Sequence, residues 1–337
     1  MAKESLTEQI ALTEVVAQEA PKKTSGVGLW LTQNGVFLFL VVLAVFAAFF
    51  VNGFGSLDNV TNILNRAVPL GIVAVGMTFV VISGNYLDLS VVAQVATSGV
   101  IFLAVGSEYG LGVAALAATG AAILYGLVNG LAVGLFKANA VIVTLATTYI
   151  GLGLLRYFSG GSIFFGPPDG PMDVFGSGKV GPVPYSAFVF LGLTLVLSLV
   201  LTRTNFGFLV KSFGVNERAT RLGGVNTDMV IVGAFLVTAL AAMIAGFVFA
   251  AFSNTAVSTM AQGFDFKALG AIIIGGTSVF GGRGSVLRTL LGVIFVSVLD
   301  NVLTLLGFTF GFQQLALGVL ILLAVTLDVL SRKLGQQ

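Results

Sequence analysis

Along most of the chain, apolar residues run on without the regular polar interruptions of a helix or strand that faces water. A helix that crosses a bilayer needs about 20 consecutive, mostly apolar residues. By that criterion about ten runs stand out, at roughly 31–51, 66–83, 87–106, 111–136, 140–158, 186–202, 229–252, 267–280, 285–306 and 313–330. The expected fold is all-α, a polytopic membrane protein of about ten transmembrane helices. The eighth run is short for a full crossing and is expected to be a broken or re-entrant segment. Residues 1–30 form a polar N-terminal tail, 31–332 the membrane domain and 333–337 a C-terminal tail.

Basic residues orient such a bundle, because Lys and Arg gather in cytoplasmic loops. With the N-terminus inside, the inner loops and tails hold Lys3, Lys22, Lys23, Lys137, Arg203, Lys211, Arg218, Arg221, Arg283, Arg288, Arg332 and Lys333. The outer side holds only Arg66, Arg156, Lys179 and Lys267. Both termini are therefore expected in the cytoplasm. The tail is acidic at Glu4, Glu8, Glu14 and Glu19, where a secretory signal would be basic. Ser5 to Glu8 has the spacing of a capping box.

Composition agrees and removes several chemistries. The chain is 57% hydrophobic and 9% charged, against about 25% charged in a soluble domain. A net charge of +2 gives no reason to expect nucleic acid. With no Cys and no His, disulfides, thiolate or imidazole metal centres and Ser-His-Asp catalysis are excluded. No catalytic residue, metal or bound cofactor is expected. The Gly-rich stretch 275–285 lacks the Lys-Ser/Thr pair of a phosphate loop. Gly178-Lys179 is followed by Val180, not by a hydroxyl residue. The chain itself is not expected to bind ATP.

Two connections are long. The outer one, 159–185, holds Pro167, Pro168, Pro171, Pro182 and Pro184 and is expected to turn rather than form regular elements. It is either a docking surface or a linker. The inner one, 203–228, contains KSFGVNERATRLGGVN. There Asn216 can cap a helix, Glu217 suits the first turn, and Arg221 stands four residues later to pair with it. Gly223 and Gly224 can end the helix in a left-handed conformation. The segment is either a handle gripped by another protein or a solvated loop.

Polar residues at membrane depth are costly and mark candidate sites. Asn85, Asp88 and Ser90 lie at the break between the second and third runs, where they cap the third helix or contact substrate. Thr144, Thr147 and Thr148 share a face of the fifth span with Gly151, as a path wall or as packing. Asp300 and Asn301 sit in the outer half of the ninth span. Gly126, Gly130 and Gly134 form a ladder for close helix packing.

Three segments together resemble a known family. They are Val75-Gly-Met-Thr-Phe with Leu87-Asp-Leu-Ser90, then Gly214-Val-Asn-Glu-Arg-Ala-Thr-Arg-Leu-Gly-Gly224, then Ala271-Ile-Ile-Ile-Gly-Gly-Thr-Ser with Gly281-Gly-Arg-Gly-Ser285. Their order and spacing resemble the permease subunits of ribose-type monosaccharide ABC importers of bacteria, over roughly residues 55 to 332. The resemblance implies two permease copies in the inner membrane, a cytoplasmic ABC ATPase that holds the ATP, and a periplasmic sugar-binding protein. It implies that Gly214, Asn216, Glu217, Arg218, Arg221, Leu222 and Gly223 belong to the ATPase-coupling segment. The chain departs from the family at Gly84-Asn-Tyr-Leu-Asp88, which has one extra residue before the acid. It also lacks a proline in 138–142. Pentoses, hexoses, deoxy sugars and sugar alcohols all remain open. An importer permease for branched-chain amino acids or nucleosides shares the architecture, and an ion-coupled secondary transporter would need an ion site at a broken helix.

Overall fold

The computed structural model describes residues 26–84 and 87–335, with side chains from 37 to 326. The tail up to residue 25, with its capping box, and Asn85 lie outside the described residues. The chain forms α1 (Gly26–Phe50), α2 (Leu57–Ile82), α3 (Val91–Tyr109), α4 (Leu111–Gly134) and α5 (Ala140–Ser159). After a connection with short elements come α7 (Tyr185–Arg203), α8 (Asn205–Val215), α9 (Glu217–Leu222) and α10 (Thr227–Ser253). The last three are α11 (Phe264–Ile274), α12 (Val286–Leu305) and α13 (Phe310–Gly335). Among the described residues seven helices are long and apolar enough to cross a membrane: α2, α3, α4, α5, α7, α10 and α12. Shorter apolar stretches at 37–50 and 310–326 lie in α1 and α13.

The centre of the bundle is α2, buried along almost all of its length from Ala67 to Ile82. It packs on α7, α10, α11 and α12. Small residues let its neighbours approach: a Cβ at Gly71 would strike the Phe190 ring of α7, and one at Gly76 would strike Ala241 of α10. The glycine ladder of α4 does the same against α10. A Cβ on Gly126 would stand 2.9 Å from Leu236 Cα, on Gly130 2.7 Å from Val232 Cα, and on Gly134 2.7 Å from Asp228 O. The ladder is an intramolecular packing face, and α4 and α10 touch backbone to backbone along it.

Four sequence expectations change. The second helix begins at Leu57, not near 66, because Ser56 caps it by accepting from the Asn59 N–H at 3.2 Å. Two polar side chains of its first turns are buried with partners: Asn59 donates to Phe54 O at 2.9 Å and Thr61 to Pro182 O at 3.0 Å. The first helix starts at Gly26, inside the stretch assigned to the tail. The eighth run, expected to be short, keeps that character but shifts from 267–280 to the 11 residues of α11; Gly275 caps it and Gly276, at φ +81°, turns the chain away.

The fourth change concerns the connections. The Pro-rich stretch 159–185 does hold regular elements: β1 (Phe164–Phe165), α6 (Pro171–Ser177), β2 (Lys179–Val180) and β3 (Val183–Pro184). Pro171 opens α6, a position where its missing N–H costs nothing. Gly181, at φ +60°, makes the tight turn between β2 and β3. Strand β1 pairs with β4 (Thr255–Ala256), which ties this end to the end of α10. On the opposite side the stretch 203–228 carries α8 as well as α9. Thr204 caps α8, accepting from the Gly207 N–H at 3.2 Å.

Candidate functional site

The handle folds as its residues dictate. Asn216 leaves the helical conformation (φ −158°, ψ 101°) and its side chain accepts from the Ala219 N–H at 3.0 Å. Glu217 opens α9 and pairs with Arg221 at 3.2 Å. Gly223 caps the C-terminal end, and Gly224 takes φ +82°. Arg218, Leu222 and Gly223 are exposed, Leu222 at 89%. An apolar side chain presented this fully at the tip of a short polar helix is left almost uncovered by its own chain.

Two residues not assigned to the handle from sequence hold it in place. Lys137, in the turn after α4, bonds Asp228 Oδ1 at 2.6 Å and lies 3.5 Å from Glu217 Oε1. Arg221 reaches the same Asp228 oxygen at 3.0 Å and Thr227 Oγ1 at 2.9 Å. Two cations and two carboxylates thus close a neutral ring between α4, α9 and α10. Each pair is partly exposed and worth about 0–1 kcal/mol, so the ring orients α9 more than it stabilises the fold. Lys137 sits at φ +53°, a left-handed conformation uncommon without glycine. Asp228 was not singled out in the sequence, because its role depends on chain segments far apart.

Gly214 does not face outward with the rest. A Cβ there would run into Ile82 O and Gly282 N, so it belongs to the seam between α8 and the bundle.

The residues proposed for a path form two separate clusters. Asp88 and Ser90 are fully buried just beyond α2. Asp88 Oδ1 accepts from the Ser90 N–H at 3.0 Å and from the Ser90 hydroxyl, and Oδ2 accepts from Gln94 Nε2 at 3.3 Å. Ser90 precedes α3, but its side chain makes no cap bond; Asp88 orders the entry instead. Asn129 of α4 donates to Ser90 Oγ at 2.8 Å and accepts from Thr147 Oγ1 at 2.9 Å. Thr148 donates to Leu89 O at 3.0 Å, and Thr144 bonds Ala140 O at 2.8 Å. The threonine face of α5 therefore packs on the Asp88 segment, and Gly151 makes room for the Tyr125 hydroxyl. Gln94 and Asn129 were missed, although an amide inside an apolar span is itself a signal.

The second cluster lies at the other end of α2. Asn301 exchanges amide hydrogen bonds with Asn59 at 2.8 and 3.0 Å. Asp300 forms an ion pair with Lys267 of α11, a partner that the sequence did not name. Both charged side chains are largely covered, at 16% and 23% exposure.

A bundle of long apolar helices with a short interrupted one, α11, and a capped polar helix at one end defines a multi-pass membrane protein. The family model described as "Branched-chain amino acid transport system / permease component" matches residues 59–327, and the chain belongs to that family. It is 34% identical over 265 residues to the galactofuranose transporter permease protein YtfT of Escherichia coli, covering 77% of this chain and 76% of that protein. It is 32% identical to the ribose import permease protein RbsC of Escherichia coli, over 89% of this chain and 94% of that one. With the L-arabinose transport system permease protein AraH of Escherichia coli it shares 30% identity, over 93% and 95%. No solved structure matches the chain.

Proposed function

We propose that this chain is the membrane-spanning permease subunit of an ATP-driven importer that carries a monosaccharide into a bacterial cytoplasm. The observation that carries this reading is similarity, over most of the chain, to permeases of three sugar importers. Those proteins are transport components, and the chain is read as a permease, not an enzyme. A separate cytoplasmic ABC ATPase binds the ATP, a periplasmic binding protein delivers the sugar, and a second permease copy completes the path. About ten helices cross the inner membrane, with both termini in the cytoplasm. The coupling segment is α9 with Asn216, Glu217, Arg218, Arg221, Leu222 and Gly223, seated on Gly214. The exposed Leu222 supports this, because a bare apolar tip suits a groove on a partner. The clusters around Asp88, Ser90, Thr144, Thr147 and Thr148, and around Asp300 and Asn301, border the path at its inner and outer ends; Asn85 belongs with the first.

Mass spectrometry of what copurifies with the tagged chain tests the reading. A stoichiometric ATPase is expected, and Leu222→Asp should strip it and abolish uptake while the permease stays folded. Glu217→Arg is a poorer probe, because it also breaks the ring with Lys137 and Arg221. A chain that transports in proteoliposomes without ATP or ATPase refutes the proposal. Labelled ribose, arabinose and leucine then distinguish a sugar permease from an amino-acid one.

A further inference from the structure

Three backbone segments meet where α8 joins the bundle: the end of α2 at Ile82–Gly84, the end of α8 at Phe213–Val215, and the loop 278–284 between α11 and α12. The Gly282 N–H donates to Ile82 O at 2.8 Å. A Cβ on Gly214 would collide with Ile82 O and Gly282 N. One on Gly281 would stand 2.5 Å from Gly84 Cα, and one on Gly282 2.7 Å from Val215 Cγ2. Gly84, Gly281 and Gly282 also take φ of +119°, +82° and +74°. Glycine is required here both for space and for conformation.

Such a contact is stiff. Side chains absorb displacement by changing rotamer, whereas backbone packed on backbone passes it on. The other attachment of α9, the ring of Lys137, Arg221, Glu217 and Asp228, is half-exposed and soft. Helix α8 runs into α9 through Asn216, whose N–H still bonds Ser212 O at 3.0 Å. A push on α9 therefore arrives at the glycine knot.

The helices that leave the knot are tied again farther along. Thr78 of α2 and Thr289 of α12 share a hydrogen bond of 2.9 Å. Gly292 of α12 sits against Ala271 O of α11, and Gly275 against Arg288 O. At the far end Asn59 joins Asn301, and Lys267 joins Asp300. So α2, α11 and α12 are fastened near both ends and between.

We propose that Gly84, Gly214, Gly281 and Gly282 are the positioning residues through which displacement of α9 enters the membrane. They move α2, α11 and α12 as one rigid unit and so link the ATPase to the Asp300 end of the path. This inference rests on the importer reading.

Hydrogen exchange on the complete importer, purified with its copurifying ATPase, tests it without knowledge of the sugar. The complex is compared free and trapped with ATP and orthovanadate. In the wild type, peptides 211–222, 78–84 and 278–284 should all change exchange rate, by about 10-fold, within the range of a coupling free energy. Peptides over the ladder 126–134 should not change. In Gly214→Ala the response at 211–222 should persist while that at 78–84 and 278–284 falls below about 2-fold. Gly120→Ala, which meets nothing within 4 Å, serves as the control.

If Gly214→Ala fails to assemble, the wild type decides. A response confined to 211–222 overturns the inference, and so does an undiminished response at 278–284 in an assembled Gly214→Ala complex. Absence of any ATPase from the wild-type preparation refutes the importer reading instead.

Discussion

Removing Asn129 gives the sharpest test of how the buried polar cluster is held. Asn129 is fully buried on α4, donating to Ser90 Oγ and accepting from Thr147 Oγ1. Asn129→Ala deletes both bonds, yet neither partner is orphaned. Ser90 keeps Asp88 and Gln94, the latter at 2.6 Å. Thr147 keeps Thr144 O at 3.1 Å. The cost should therefore be that of two interhelical hydrogen bonds in a bilayer, each about 0.6 and at most about 1.7 kcal/mol, plus a small cavity. A loss of about 1–3 kcal/mol is expected. Thr147→Val removes one of those bonds, and the double variant should lose less than the two single losses added, by about 0.6 kcal/mol. Reversible unfolding in mixed micelles, titrated with a denaturing detergent, measures all four proteins. Strict additivity would show that Asn129 and Thr147 do not share a bond that matters. A loss above about 4 kcal/mol for Asn129→Ala would show that Ser90 or Thr147 is left unpartnered, contrary to the geometry.

The glycine ladder gives a second expectation. Gly130→Leu forces α4 from α10, where Val232 Cα already stands 2.7 Å from a Cβ, and should cost about 1–3 kcal/mol by overpacking; equal stability by the same titration would contradict it. The Lys267–Asp300 pair gives a third. Lys267→Met leaves a mostly covered carboxylate alone and should destabilise by about 1–3 kcal/mol, whereas Lys267→Met with Asp300→Leu should recover much of the loss. A double variant worse than the single one would show that the pair stabilises beyond mutual compensation.

The sequence was most legible where the information is local. Uninterrupted apolar runs located the long helices, because a hydrocarbon slab imposes length and composition residue by residue. The Asn216 cap, the Glu217–Arg221 pair and the left-handed Gly224 could be read from spacing alone, because a helix places residues four apart on one face. The ladder of Gly126, Gly130 and Gly134 announced close packing by the same rule. Where polar residues broke an apolar run the reading fell short. The start of α2 around Asn59 and Thr61 was placed outside the helix, because its hydrogen-bonded side chains look hydrophilic in isolation.

Contacts between distant segments were decided by the tertiary structure. Nothing near Lys137 in the chain points to Asp228, and nothing near Asp300 points to Lys267; each ion pair exists because folding sets two helix ends side by side. The threonine face of α5 could be read from its spacing as a path wall or as packing, but the groups its hydroxyls meet, Asn129, Leu87 O and Leu89 O, come only with the fold. The glycines at 84, 214, 281 and 282 lie in three separate segments of the sequence. Only in three dimensions do they become one backbone contact. A glycine's freedom is written in the sequence, but what fills the space it leaves depends on the fold.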